Sequence, residues 1–432
     1  MMKKPIGKTA PSAWIFAVKT LENYLRSPQK ASALWDYRLK ENPQIDSSLG
    51  KGFYMDGIRY LHTSKQFLKK WSKKTPSSKI QSFYSTIVGE IFSDHRWQKS
   101  EKIIHYGIQQ SKGTLSTPET GFLNALLRKT LLYCRQNGFD KEIQPDFDKA
   151  LLPLRFSHPK WLVDHWLKDL GEQKTTALLQ WNQKHCHTYF RHLYPQDPLP
   201  PSSHYQKIVH PPHFYKLTHQ GWASIKQLLD EKKIYIQDPS TYLATQIHSL
   251  RPTDKVLDLC AAPGGKSLAL AQQLGKKGQL TSVDLPARTD LLHENLSQHP
   301  QCHHQIIGSD ILELKLPEKS FDLVFLDAPC SNTGVIQRKP DVKNRLTLQQ
   351  FQQITLLQEK LLEQASRWVK PAGALIYSTC SIEKQENQSI CQKFSQSKAG
   401  KSFHLSKTIT QYPWETGYDG ASATLLLRNK ES

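Results

Sequence analysis

Trp14, Val18, Leu21 and Leu25 recur at steps of four, three and four residues, a spacing that lines one face of a helix. Similar patterning runs through residues 53–71 and 121–133. Gly and Pro are sparse inside these stretches and gather between them, as at Thr75-Pro76-Ser77-Ser78. The pattern predicts an all-helical first domain over residues 1–150, with no repeated unit. Helical periodicity returns over residues 161–181. It then collapses over 194–212, where Pro195, Pro198, Pro200, Pro201, Pro211 and Pro212 fall. Residues 151–233 therefore read as a connecting subdomain with a Pro-rich linker. From residue 234 the pattern changes again. Short β-rich runs at 255–259, 279–283, 321–326 and 374–377 alternate with helix-length segments, which predicts a parallel, doubly wound α/β domain over 234–432.

Composition agrees with several folded domains in a chain of 432 residues, since 10% of them are aromatic. Charge adds more. Lys and Arg number 58 against 38 Asp and Glu, a net charge of +20. Residues 1–150 alone hold 25 basic and 13 acidic residues, so the helical domain is the expected landing surface for a polyanion such as nucleic acid. Seven cysteines, an odd number, do not form a disulfide framework and suit the cytoplasm. The opening Met1-Met2-Lys3-Lys4 resembles a leader, but Pro5, Gly7, Lys8 and Pro11 break up the stretch where its apolar run would lie. No run approaches the ~20 apolar residues of a membrane span, so no membrane role is expected.

The first β-rich run leads into Cys260-Ala261-Ala262-Pro263-Gly264-Gly265-Lys266-Ser267. Small residues here let backbone approach a ligand, and the amides opening the next helix favour an anionic group. The spacing is neither GxGxxG nor that of a P-loop. It suits the amino-acid end of S-adenosylmethionine. Asp284 closes the next run and is placed to accept from a ribose diol; Asp310 follows another short strand and is placed near an adenine edge.

Two further strand ends carry thiols, in Asp327-Ala328-Pro329-Cys330 and in Ser378-Thr379-Cys380-Ser381. The pair matters because C5 of cytosine is a poor nucleophile toward a methyl sulfonium. A thiolate that adds to C6 makes C5 carbanion-like; after methyl transfer a base removes the C5 proton and the thiolate leaves. A carboxyl group such as Asp327 can hold the cytosine amine and ring nitrogen meanwhile. His185-Cys186-His187 with His192, and Cys302-His303-His304, lack the spacing of a zinc site, so no metal is expected.

The segments LDLCAAPGGKS, DAPCSNTG and YSTCS together resemble the RNA (cytosine-5) methyltransferases of the Nop/Sun family. The resemblance implies a Rossmann-like, S-adenosylmethionine-dependent domain. It makes Cys380 the nucleophile, Cys330 the thiol that assists release, and Asp327 and Lys266 the groups that orient the base. The cofactor would be held by Cys260, Ala261, Ala262, Pro263, Gly264, Gly265 and Lys266 with Asp284, Asp310 and Asp327. Upstream, residues 121–128 (GFLNALLR) resemble the last helix of a NusB-like RNA-binding domain. Residues 157–163 (SHPKWLV) and 237–240 (QDPS) resemble connecting motifs of a bacterial subfamily that modifies 16S rRNA. The implied partner is 16S rRNA or a small-subunit assembly intermediate, met by a monomer. Asn332 stands where the family usually has Gly, and Ala421-Ser422 where it tends to have aromatics; Asn tolerates left-handed backbone better than most residues. Arg338-Lys339, just after the Pro-Cys motif, is expected to contact RNA. Two alternatives stay open: a non-catalytic rRNA-binding factor with a relict fold, and the same chemistry on tRNA.

Overall fold

The computed structural model describes residues 12–143, 147–218, 221–296 and 302–430, so the leader-like start lies outside the described residues. The chain forms two compact units. One runs to His185 and also takes in Ile336–Arg345; the other holds Cys186–Val335 and the chain from Leu346 onward.

The first unit is helical. Ala13–Arg26 buries Trp14, Val18 and Leu21 on the predicted face, and Leu25 is half-buried. Thr117–Gln136 covers the predicted 121–133 helix and starts with a Ser116/Glu119 capping box. Two predicted helices are each split. Residues 53–71 divide into Ser47–Arg59 and Leu61–Trp71 at Tyr60, whose hydroxyl donates to the Phe92 carbonyl at 3.2 Å while its ring packs on Phe92. That tertiary anchor outweighs helical continuity. Residues 161–181 divide at Gly171, where φ is +77°, a left-handed value that glycine accepts.

The returning segment Ile336–Arg345 is fastened into this unit by backbone acceptors. Arg59 Nη1 donates to the carbonyls of Asn182 and Gln337, both at 2.9 Å, and Asn344 Nδ2 donates to the Ile58 carbonyl at 3.0 Å. Arg338-Lys339 thus sits in a stretch that folds with the helices.

The second unit contains two sheets. Strands β1 (Tyr189–His192), β2 (Tyr205–Lys207), β3 (Phe214–Leu217) and β4 (Ile234–Ile236) form a small antiparallel sheet in the order β2-β3-β1-β4. The Pro-rich stretch therefore carries a strand, although three or four residues are too few to show periodicity. The large sheet comprises β5 (Lys255–Leu259), β6 (Gln279–Asp284), β7 (His303–Gly308), β8 (Phe321–Asp327), β9 (Val369–Thr379), β10 (Phe403–Gln411) and β11 (Ala421–Arg428). Its order is β10-β11-β9-β8-β5-β6-β7.

From β7 across to β9 the pairing is parallel, as expected. The expectation of a wholly parallel sheet is corrected at one edge, where β11 pairs antiparallel with both β9 and β10. Residues 412–420 are too short a link for a crossover, which takes a dozen or more, so the chain turns back as a hairpin. Alternate strand residues face opposite cores: Leu257, Val324 and Leu375 on one side, Val256, Leu323 and Ala374 on the other. The strand order reverses between β5 and β8, which places a crevice at the carboxyl ends of these strands.

Candidate active site

The loop leaving β5 is held open by backbone geometry. Cys260 and Gly264 both have positive φ, +59° and +106°. At Gly264 this conformation favours glycine, and a Cβ on Gly265 would stand 2.8 Å from the Tyr235 ring. Asp284, at the end of β6, braces the loop: its Oδ2 accepts the Ala262 amide and its Oδ1 the Leu285 amide, each at 2.8 Å. Arg288 pairs with Asp284 at 3.1 Å and donates to the Ala262 carbonyl at 3.1 Å. The Asp284 carboxylate is thus first a clamp on the loop, with lone pairs left to accept more. Ser309 donates its amide to the Asp284 carbonyl at 2.9 Å, which sets Asp310 at the neighbouring strand end. Asp310 is exposed and its Oδ1 caps the Leu312 amide. Burial pushes the Cys260 thiol well above its ordinary range, which disfavours a thiolate there.

Asp258, inside β5 beneath this loop, is fully buried. Burial pushes its carboxyl up to about 7, against a hydrogen bond from Ser267 that favours the ionised form. Because the folded state binds this proton more tightly than the unfolded chain, its contribution is greatest below the ordinary 3.8 and is lost as pH rises toward 7. Ionising it in place costs roughly 4 kcal/mol by the conversion of about 1.4 kcal/mol per pH unit. Asp258→Asn keeps an acceptor for Ser267 and removes the titration. Chemical denaturation between pH 5 and 8 is expected to show a flatter decline for the variant and higher stability than the parent above pH 7. Identical pH profiles would discount the assignment.

Across the strand-order reversal, Lys266 Nζ meets Asp327 Oδ2 at 2.7 Å. Burial alone would lower the Lys266 pKa, but the charge and hydrogen bond of Asp327, joined by the field of Cys380, hold it above its usual value. The ammonium is therefore retained beside the thiols. Asp327 stands opposite Ser378 in the β8–β9 register, so the two Cys-bearing turns leave the sheet side by side. They are laced together by the Ala328 amide on the Ser378 carbonyl at 2.8 Å and the Gly334 amide on the Cys380 carbonyl at 3.1 Å. Cys330 Sγ and Cys380 Sγ lie 3.2 Å apart.

A hydrogen bond with Cys380, burial and the nearby charges of Cys380 and Glu386 all push the Cys330 thiol upward. Asn332 takes the left-handed φ of +62° expected of it, and its carboxamide touches both turns. Nδ2 donates to the Cys330 carbonyl at 2.7 Å and Oδ1 accepts from Cys380 Sγ at 3.3 Å. Ala421-Ser422 opens β11 with Ser422 opposite Thr379, so small side chains flank the Thr-Cys strand.

The sequence-based residues thus fall along one carboxyl edge: 260–266 after β5, Asp284 after β6, Asp310 after β7, and Asp327, Cys330 and Cys380 after β8 and β9. Sequence reasoning missed Glu386. It is fully buried, and its carboxylate accepts from Ser331, Ser381 and Gln358. Burial raises its pKa while the two serines oppose that. The signal available was the repeated Cys-Ser dipeptide at 330–331 and 380–381. Among the described residues no group of three His, Cys, Asp or Glu side chains is arranged to hold a metal. Among them, too, no helix is long and apolar enough to cross a membrane.

Residues 245–422 match the family model described as "16S rRNA methyltransferase RsmB/F". The ribosomal RNA small subunit methyltransferase B of Erwinia tasmaniensis is 29% identical over 69% of this chain and 71% of its own length. Among solved structures, PH0851 superposes with a TM-score of 0.76 at 21% identity, covering 97% of this chain and 99% of its own. NSun6 from Pyrococcus horikoshii, solved with SFG, gives 0.55 at 16% identity over 63% of this chain and 99% of its own. The cradle of small residues after β5, with carboxylates at the next two strand ends, fits S-adenosylmethionine, the cofactor of this family. Over residues 245–422, the chain is thus similar to the 16S rRNA methyltransferases of the RsmB/F type.

Proposed function

We propose that the protein methylates C5 of a cytosine in 16S rRNA through a covalent adduct on Cys380. The observation that carries this reading is the 3.2 Å approach of two thiols beside a Lys266–Asp327 pair. S-adenosylmethionine, when bound, supplies an electrophilic methyl group. The backbone of 260–265 would hold its amino-acid end, with Asp284 toward the ribose and Asp310 toward the adenine.

Cys380 is the better nucleophile of the two. The Cys330 thiol is pushed upward and the Lys266 ammonium lies within the electrostatic reach of Cys380, a setting that favours a thiolate there. Cys380 Sγ bonds to C6 as the C5=C6 π pair moves toward C5, which becomes the nucleophile. Once C5 carries the methyl group, a base accepts its proton, the C–H pair re-forms the C5=C6 bond and the Sγ–C6 pair leaves with Cys380 as a thiolate. Cys330, in contact with Sγ of Cys380, assists this last stage. Asp327, held by Lys266, grips the amine and ring nitrogen of the base. A cytosine in folded rRNA has to be splayed from its stack to enter. The helical unit, rich in Lys and Arg, supplies sequence-independent affinity that offsets this cost.

The reading is tested by incubating the protein with labelled S-adenosylmethionine and unmodified 16S rRNA, with tRNA in a parallel arm, and analysing nucleosides by mass spectrometry. Label in 5-methylcytosine of 16S rRNA is expected. Label in tRNA alone would move the substrate, and no label in any RNA would overturn the enzyme reading.

A further inference from the structure

Cys330 and Cys380 are each followed by a serine, and both seryl hydroxyls donate to one oxygen of one buried carboxylate, Glu386 Oε2. The other oxygen accepts the Ser331 backbone amide at 2.8 Å and Gln358 Nε2 at 3.0 Å. Gln358, on the helix Leu348–Ser366, also donates to the Pro329 carbonyl at 2.9 Å, so the residue before Cys330 is tied to the same centre. The Glu386 main chain is fixed too, because the Tyr377 hydroxyl donates to its carbonyl at 2.7 Å from inside β9. Thr333 Oγ1 and Ser381 Oγ, 3.1 Å apart, close the mesh. A carboxylate accepts and never donates, so four donors from the two turns and the helix must all point inward. The Ser331 and Ser381 hydroxyls, 3.2 Å from each other, thus share a charged acceptor that biases both to donate toward it.

We propose that Glu386 is a positioning residue that holds the turns of Cys330 and Cys380 at a fixed separation and angle. This rests on the two-cysteine reading of the site. Glu386 touches neither thiol; it acts through the serine that follows each. An amide in its place would keep one oxygen for the Ser331 amide and Gln358 but put an NH₂ group where the Ser331 and Ser381 hydroxyls donate, so both hydroxyls would have to turn and accept and the charge would be lost, whereas Asp keeps the acceptor set on a shorter arm.

The test measures single-turnover formation of the protein–RNA adduct in a Cys330→Ala background, with cofactor-analogue and rRNA binding measured on the same proteins. Glu386→Gln is expected to slow adduct formation on the order of 100-fold, the effect of about 1 Å of misplacement, with both dissociation constants within about twofold. Glu386→Asp is expected to recover a substantial part of the rate. If Glu386→Gln unfolds, Ser331→Ala and Ser381→Ala, each cutting one tether, are expected to slow adduct formation in turn. An unchanged rate in the folded variants would overturn the proposal. So would a slow Glu386→Gln that loses cofactor and RNA binding in proportion, which marks a general structural role. Absence of an adduct in the Cys330→Ala parent itself would instead sink the two-cysteine reading.

Discussion

Cys380→Ala is expected to abolish methyl transfer, a loss of at least about 10⁴-fold, and to form no RNA adduct. Cys330→Ala is expected to do the opposite at the gel: a protein–RNA band stable to denaturant accumulates while turnover stops after about one methyl per molecule. The two thiols are chemically alike and 3.2 Å apart, so sequence proximity to the site does not separate them; their surroundings do. Cys330 is buried, and its contact with Cys380 and burial push its thiol upward, which disfavours a thiolate on this sulfur. Cys380 is less buried and lies within the electrostatic reach of the Lys266 ammonium, a cation that favours negative charge nearby. The adduct assay on denaturing gels, with nucleoside analysis in parallel, reads both outcomes. An adduct in Cys380→Ala and none in Cys330→Ala would exchange the roles.

Much of this site was legible because its chemistry sits at strand ends, where a buried apolar run followed by small or polar residues marks both the strand and its tip. The β5 and β8 signals are of this kind, and Asn332 was legible for a local reason, its tolerance of the left-handed backbone that it adopts at φ +62°. What the sequence hides is non-local. Asp284 reads as a ribose acceptor, yet its nearest partners are the amides of Ala262 and Leu285, which no spacing reveals. Glu386 follows Cys380 by six residues and has no periodic or charge signature. Its importance appears only when Ser331, fifty-five residues away along the chain, folds onto it.

The edge strand β10 was missed for a different reason. It is exposed along most of its length, and its sequence FHLSKTITQ contains no apolar run. Ile336–Arg345 reads as part of the catalytic domain because it follows the Pro-Cys motif. Its fate is decided by Arg59 and Ile58, nearly 300 positions upstream.

On the proposed role of its carboxylate at the base, Asp327→Asn is expected to reduce kcat by about 10³-fold. The substitution keeps the size of the side chain and removes its charge. Two things are lost together: the negative charge that, in the proposed reaction, holds the cytosine amine and supports transient protonation of the ring, and the ionic partner of Lys266 at 2.7 Å. A largely buried ammonium left without its carboxylate carries a desolvation cost that pairing had offset, and breaking a buried pair from one side costs about 3–5 kcal/mol. Stability and catalysis therefore need separate readouts.

Lys266→Met supplies the comparison, since it removes the ammonium and leaves Asp327 free to meet the base. If Asp327 acts chiefly by holding Lys266, the double variant Lys266→Met/Asp327→Asn should lose no more activity than Lys266→Met alone. If Asp327 touches the cytosine, Asp327→Asn should cost a further factor of about 10² or more on the Lys266→Met background, by the usual worth of a positioned acid or base. We expect the second result. Retention by Asp327→Asn of more than a tenth of the parent kcat would remove Asp327 from the reaction altogether. The thermal unfolding midpoint, followed alongside, separates that outcome from simple loss of the fold.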